Sequence, residues 1–210
     1  MLVEKSVSEF LKQLGSADAV PGGGAASAVA AALAANLFNM VIGITLEKEP
    51  DKAAGLTTTQ HQMQTLAAEV EALIDRDAQA YQRVKDAYRM PKDAEDKRIA
   101  RSMEIQLAMR EAAEVPLELA ERTMQMLEAA HRIAEVGRTS CISDAGVGNF
   151  MALSAIMGAL LNVEINLQAI DDDGFTTRLS ARLAELQERS RAQFEQINDV
   201  VMARLQRQNA

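Results

Sequence analysis

"AVPGGGAASAVAAALAANLF", residues 19–38, joins a run of three glycines to a helix made almost wholly of alanine. Alanine has the highest helix propensity of any residue, so a helix is expected from about Gly24 to Thr45. The glycines before it supply a turn of free geometry and uncovered backbone N–H groups at the helix start, where carbonyl or carboxylate oxygens can dock. A helix this smooth buries little apolar area per residue. It does let another backbone, or a flat ligand, come very close.

The same character returns in "SDAGVGNFMALSAIMGALLNV", residues 143–163. No Asp, Glu, Lys or Arg occurs at 19–46 or at 145–163, and by length either stretch could span a bilayer. Both are dominated by Ala and Gly, carry Asn36, Asn39, Asn149 and Asn162, and are flanked by acids rather than by Lys/Arg. The reading is therefore two helices buried inside an all-helical body. Ala25, Ala28, Ala32, Ala35 and Asn39 recur at spacings of three and four, as do Ala145, Gly148, Ala152, Ala155, Ala159, Asn162, Asn166 and Ala169. Each set makes a stripe of small residues down one helix face, and its asparagines need polar partners once buried.

The rest of the chain fits a bundle of about six helices in one domain spanning residues 1–210. Ser6 is a candidate N-cap with Glu9 at capping-box spacing, and Gly15 stops that helix. Long helices are expected at 56–88 and 93–136, the second kinked or split near Val115 by Pro116 and closed by Gly137. Ser143 or Asp144 begins the second buried helix, to about Ile170, and a charged helix follows to about Gln208. No segment shows sustained period-two alternation, so no sheet is expected.

Composition narrows the partners. With 22 Lys+Arg against 30 Asp+Glu, a net charge of -8, the chain is a poor candidate for nucleic acid or an anionic membrane. Aromatic residues make up only 3% and Trp is absent, which leaves no platform for stacking several bases. A single cysteine, Cys141, excludes an intrachain disulfide and a cysteine zinc cluster, and His61 and His131 lack ligand spacing. No basic segment precedes an apolar run, which gives a cytoplasmic reading.

Gly22-Gly23-Gly24 lacks the Lys-[Ser/Thr] and the preceding strand of a nucleotide loop. Asp144 stands at a helix start among Ala, Gly and Val, either as an N-cap or as a carboxylate beside a cavity, able to bind a cationic or amidine-like ligand or to act as a base. Asp77 and Tyr81 lie one turn apart in "DRDAQAYQRVKDAYRMPK", either as a solvated helix face or as part of a site. Glu164 sits between Asn162 and Asn166 in an apolar helix, as a structural network or a ligand clamp.

Taken together, "SEFLKQLGSADAVPGGGAASAVAAALAANLFNMV", "DRDAQAYQRVKDAYRMPK", "AAEVPLELA" and "SDAGVGNFMALSAIMGALLNVEINL" resemble the cyclodeaminase/cyclohydrolase family of tetrahydrofolate one-carbon chemistry. The resemblance implies an all-α fold, a homodimer, and a folate bound without a metal or any cofactor beyond the tetrahydrofolate-derived substrate. It implies hydrolysis of 5,10-methenyltetrahydrofolate to 10-formyltetrahydrofolate, or closure of formiminotetrahydrofolate with loss of ammonia. A non-catalytic folate-binding or helical interaction protein is the third possibility. On this reading Asp144 is pterin clamp or base and Asp77 the second acid. Pro21, Gly22, Gly23, Gly24 and Ser143 shape the slot, Asn162 and Glu164 support it, and Lys92 meets the glutamate tail. Two loops depart from the family pattern and are expected to touch ligand: "LEKEPDKAAG" after Thr45, and "GRTSCI" before Ser143.

Overall fold

The computed structural model describes residues 1–52 and 55–207. It contains six α-helices among the described residues: α1 (Val7–Leu14), α2 (Gly23–Lys48), α3 (Leu56–Arg89), α4 (Glu95–Val136), α5 (Ile142–Leu167) and α6 (Asp173–Gln206). Short 3₁₀ turns occupy Pro50–Lys52 and Thr139–Cys141, and no strand occurs among the described residues. The expected all-α bundle is what the chain forms. Gln208, the expected end of the last helix, lies outside the described residues.

Local chemistry accounts for most boundaries. Ser6 caps α1 in a capping box, its hydroxyl accepting from the Glu9 N–H while the Glu9 carboxylate accepts from the Ser6 N–H. Asp172 caps α6 by accepting from the Phe175 N–H. The second charge-free helix starts earlier than expected, at Ile142, so Asp144 is its third residue rather than its cap.

Pro116 does not split α4, contrary to expectation. Its missing N–H leaves the Ala112 carbonyl without a helical donor. Asn166 of α5 supplies one, with Nδ2 2.6 Å from the Ala112 oxygen. A neighbouring helix thus repairs the gap, and the asparagine of the small-residue stripe finds its polar partner.

α2 and α5 run antiparallel and very close. A Cβ built on Gly148 would lie 2.9 Å from the Phe38 ring, and one on Gly158 would lie 2.3 Å from Ser27 Oγ. The small stripes are what permit this approach. Phe38 itself is fully buried, worth about 1.5–3 kcal/mol for such a side chain. α3 and α4 pack as a second pair against α2 and α5, and α6 lies against α4 and α5.

The expectation of helices buried all round holds for one face only. Leu33 and Met40 of α2, with Val147, Phe150, Leu161 and Ile165 of α5, are exposed. Hydropathy placed both helices inside, but three neighbours cannot cover a helix pair from every side.

Candidate active site

The cavity exists because α2 stops where its neighbours continue. α2 begins at Gly23, whereas α3 runs about three turns beyond Asp77, the residue that reaches the α2 terminus. α4 and the C-terminal half of α5 flank the same space. What remains is a cavity of about 480 Å³, within the range of small-molecule sites. Its floor is Gly22, Gly23 and Gly24. One wall is Asp77, Tyr81, Val84 and Tyr88 of α3; the others are Met109 and Ala112 of α4 and Asn162, Ile165 and Asn166 of α5.

Asp77 is positioned by an absence. A Cβ on Gly24 would lie 2.0 Å from its Oδ1 and 2.7 Å from its Oδ2, so only glycine allows the carboxylate to rest there. The α2 N-cap residue Gly22 has no side chain to cap the helix, and the Asp77 carboxylate accepts from the Ala25 N–H instead. Burial raises its proton affinity above the ordinary carboxylate range, and the Ala25 N–H offsets part of this by stabilising the anion. A carboxylate so tuned, facing a cavity, suits proton transfer.

Asn162 stands on the other side of the same terminus. Its amide lies 3.4 Å from where a Gly23 Cβ would be, and its Nδ2 donates to the Gly158 carbonyl at 2.8 Å. That bond fixes the amide and turns its oxygen toward other donors. The Gly23 and Gly24 N–H groups complete the floor with the positive end of the α2 dipole.

Above Asp77 the α3 wall turns aromatic and cationic. Tyr81 and Tyr88 are 39% and 50% exposed, the free side that a flat ligand needs. Lys85 lies over the Tyr81 ring at 5.9 Å and Arg101 over the Tyr88 ring at 5.6 Å. Arg101 is also tied to the Tyr88 carbonyl. The positions 77, 81, 84 and 88 form one helical stripe, a signal present in the sequence. Sequence reasoning paired Asp77 with Tyr81 but did not place Tyr88, Met109 or Asn166 at the site.

The structure thus brings Gly22, Gly23, Gly24, Asp77 and Asn162 together, with Pro21 buried just before the floor. Lys92 and Glu164 are exposed and outside the cavity lining. Asp144 and Ser143 are not brought to the cavity within this chain. Asp144 lies 18 residues before Asn162 on the same straight element, about 27 Å away.

The two departing loops also meet at that far end, not at the cavity. The Arg138 N–H donates to Thr45 Oγ1 at 2.8 Å, and its guanidinium pairs with Glu49 at 3.2 Å. Arg204 from α6 donates to the carbonyls of Ala134, Glu135 and Gly137, closing the end of α4.

Fold and site together define an all-helical protein with an acid-bearing cavity at a glycine helix start. Residues 6–185 match the family model described as formiminotransferase-cyclodeaminase. The chain belongs to that family. It is 30% identical over 207 residues to the methenyltetrahydrofolate cyclohydrolase of Methylorubrum extorquens, covering 98% of this chain and 100% of that one. It is 32% identical over 196 residues to the rat formimidoyltransferase-cyclodeaminase, covering 91% of this chain but 36% of the relative. The chain therefore spans about a third of the length of the mammalian relatives it matches. In fold it is similar to formiminotetrahydrofolate cyclodeaminase from Thermotoga maritima, with a TM-score of 0.85 over 97% of this chain and 98% of that one, at 24% identity.

Proposed function

We propose that the protein is a folate one-carbon enzyme that hydrolyses 5,10-methenyltetrahydrofolate to 10-formyltetrahydrofolate. The observation that carries this is the buried Asp77 carboxylate, held against Gly24 and facing a cavity of size suited to a pterin. The likeness to a stand-alone cyclohydrolase along its whole length supports the choice of reaction.

The chemistry asks for little else. The methenyl carbon between N5 and N10 is an electrophilic amidinium. Water adds to it, and Asp77 accepts the proton released, which its raised proton affinity favours. The hydroxyl proton of the resulting carbinolamine then moves to N5 as the C–N5 bond breaks, leaving the formyl group on N10. The floor N–H groups and the Asn162 amide hold the polar edge of the pterin, and Tyr81 and Tyr88 flank its aryl portion. Lys85 and Arg101, which have no carboxylate partner among the described residues, lie over the two tyrosines of the cavity wall, and with Lys92, three residues past the end of α3, would meet an anionic tail. Positioning and dehydrating the reactant supply much of the rate.

We further propose a homodimer joined through the exposed apolar face of α2 and α5. Cyclodeamination of formiminotetrahydrofolate is the second reading, favoured by the likeness to the rat bifunctional relative. It uses the same acid to protonate the departing ammonia. Assaying purified protein with both folates decides between them. Methenyl hydrolysis is the expected activity; faster ammonia release would favour the second reading, and turnover of neither would end both.

A further inference from the structure

Asp144 is a half-buried carboxylate in the first turn of α5 with no hydrogen-bond or ion-pair partner among the described residues. It shares its flank of α5 with Asn162, because 18 residues are five whole turns. Beside that flank lies an apolar face with a particular pattern. Counting outward from exposed Ser154, the next positions on that face are Phe150, Val147 and Ser143 in one direction, and Gly158, Leu161 and Ile165 in the other. The spacings are four, three and four both ways.

A stripe with this symmetry is complementary to itself when the α5 helices of two copies pair antiparallel about a two-fold axis at Ser154. Val147 then faces Leu161 of the second copy, and Ser143 faces Ile165. No charge lies at 19–46 or 145–163 to oppose the pairing. Two helices of 26 residues, each ~39 Å long and ~10 Å apart, present a footprint on the order of 800 Å² per copy, what a stable dimer needs.

Asn162 lies eight residues from Ser154, ~12 Å, and Asp144 ten residues the other way, ~15 Å. Antiparallel pairing therefore brings Asp144 of the second copy to within ~3 Å of the level of Asn162, on the same flank. There the cavity rim is exposed at Gly23 and Ile165. We infer that Asp144 of a second copy completes the cavity, so that each site takes Asp77 from one chain and Asp144 from the other. Two carboxylates then approach the bound cation from opposite sides, Asp77 at the proton and Asp144 at the amidine-like edge. This rests on the proposed dimer and folate reading.

Co-production of the Asp77→Asn and Asp144→Asn chains tests it. Each variant alone is expected to lose about 10²–10⁴-fold in turnover. In an equal mixture half the dimers carry both chains, and each of those has one site with both acids intact. About a quarter of wild-type turnover is then expected. A mixture no more active than its parents, or full turnover by either variant alone, overturns the composite site. Oxidation of a Val147→Cys/Leu161→Cys chain, in a Cys141→Ser background, checks the pairing independently of activity and of whether Asp144→Asn folds. Covalent dimers support the pairing; monomers only would overturn it. An inactive wild type would end the folate reading, while the cross-link would still decide the antiparallel pairing.

Discussion

The two ends of the α2–α5 pair begin from similar material: an acid, small residues and a helix start. At one end Asp77 rests on Gly24 beneath a cavity; at the other Asp144 lies beside loops that are tied shut by Arg138, Glu49 and Arg204. The difference is not in the acids but in what continues past them. α3, α4 and α5 outrun α2 at the Gly23 end and leave a hole, whereas the loops around 49–52 and 137–141 fill the other end. Within one chain, a carboxylate next to glycine becomes part of a cavity only where the surrounding helices overshoot it.

Removing the Asp77 charge should break that contrast most severely. Asp77→Asn keeps an acceptor for the Ala25 N–H, so the thermal midpoint should stay within a few degrees while folate turnover falls about 10²–10⁴-fold. If turnover persists, the cavity end has no special chemistry. Gly24→Ala comes next. Its Cβ would occupy space 2.0 Å from Oδ1, so the carboxylate must move, and kcat should drop by up to about 10²-fold with little change in KM. Unchanged kcat would show that the glycine serves α2 alone.

The acid limb of the turnover profile sharpens the comparison further. Asp77 must be ionised to accept a proton, and burial raises its pKa, so activity should fall with decreasing pH from above the ordinary carboxylate range. The stability linkage has the opposite sense to that of a paired acid. Its contribution is fully present below the unfolded pKa and is lost as pH rises through the raised folded one, so Asp77→Asn should flatten that fall in a denaturation series.

At the cavity wall, Asn166→Leu should cost about 1–3 kcal/mol, because it orphans the Ala112 carbonyl freed by Pro116. Adding Pro116→Ala restores a helical donor, and the double variant should recover much of the loss in urea unfolding. At the far end, Glu49→Gln should cost no more than about 1 kcal/mol, since Arg138 is 37% exposed and Glu49 23%. A larger loss there would mean that the closed end carries more of the stability than its solvent screening allows.

Much of the architecture was legible in the chain itself. The capping box at Ser6, the glycine start of α2, the two charge-free helices and the polar breaks all express local preferences, which need no knowledge of neighbours. The stripe of Asp77, Tyr81, Val84 and Tyr88 was equally present as spacing. Two features were not. Helical pattern placed Asp144 and Asn162 on one flank but said nothing of which end would hold the cavity, because that depends on where α2 stops relative to α3 and α4. Nor did the proline show that α4 would run through it, since the repairing donor comes from Asn166, 50 residues away in sequence. Sequence by itself determined which helices form and which faces are smooth, through backbone propensity and side-chain period. Only the tertiary structure decided where the helices leave a gap, because a gap is set by the relative lengths and offsets of packed neighbours.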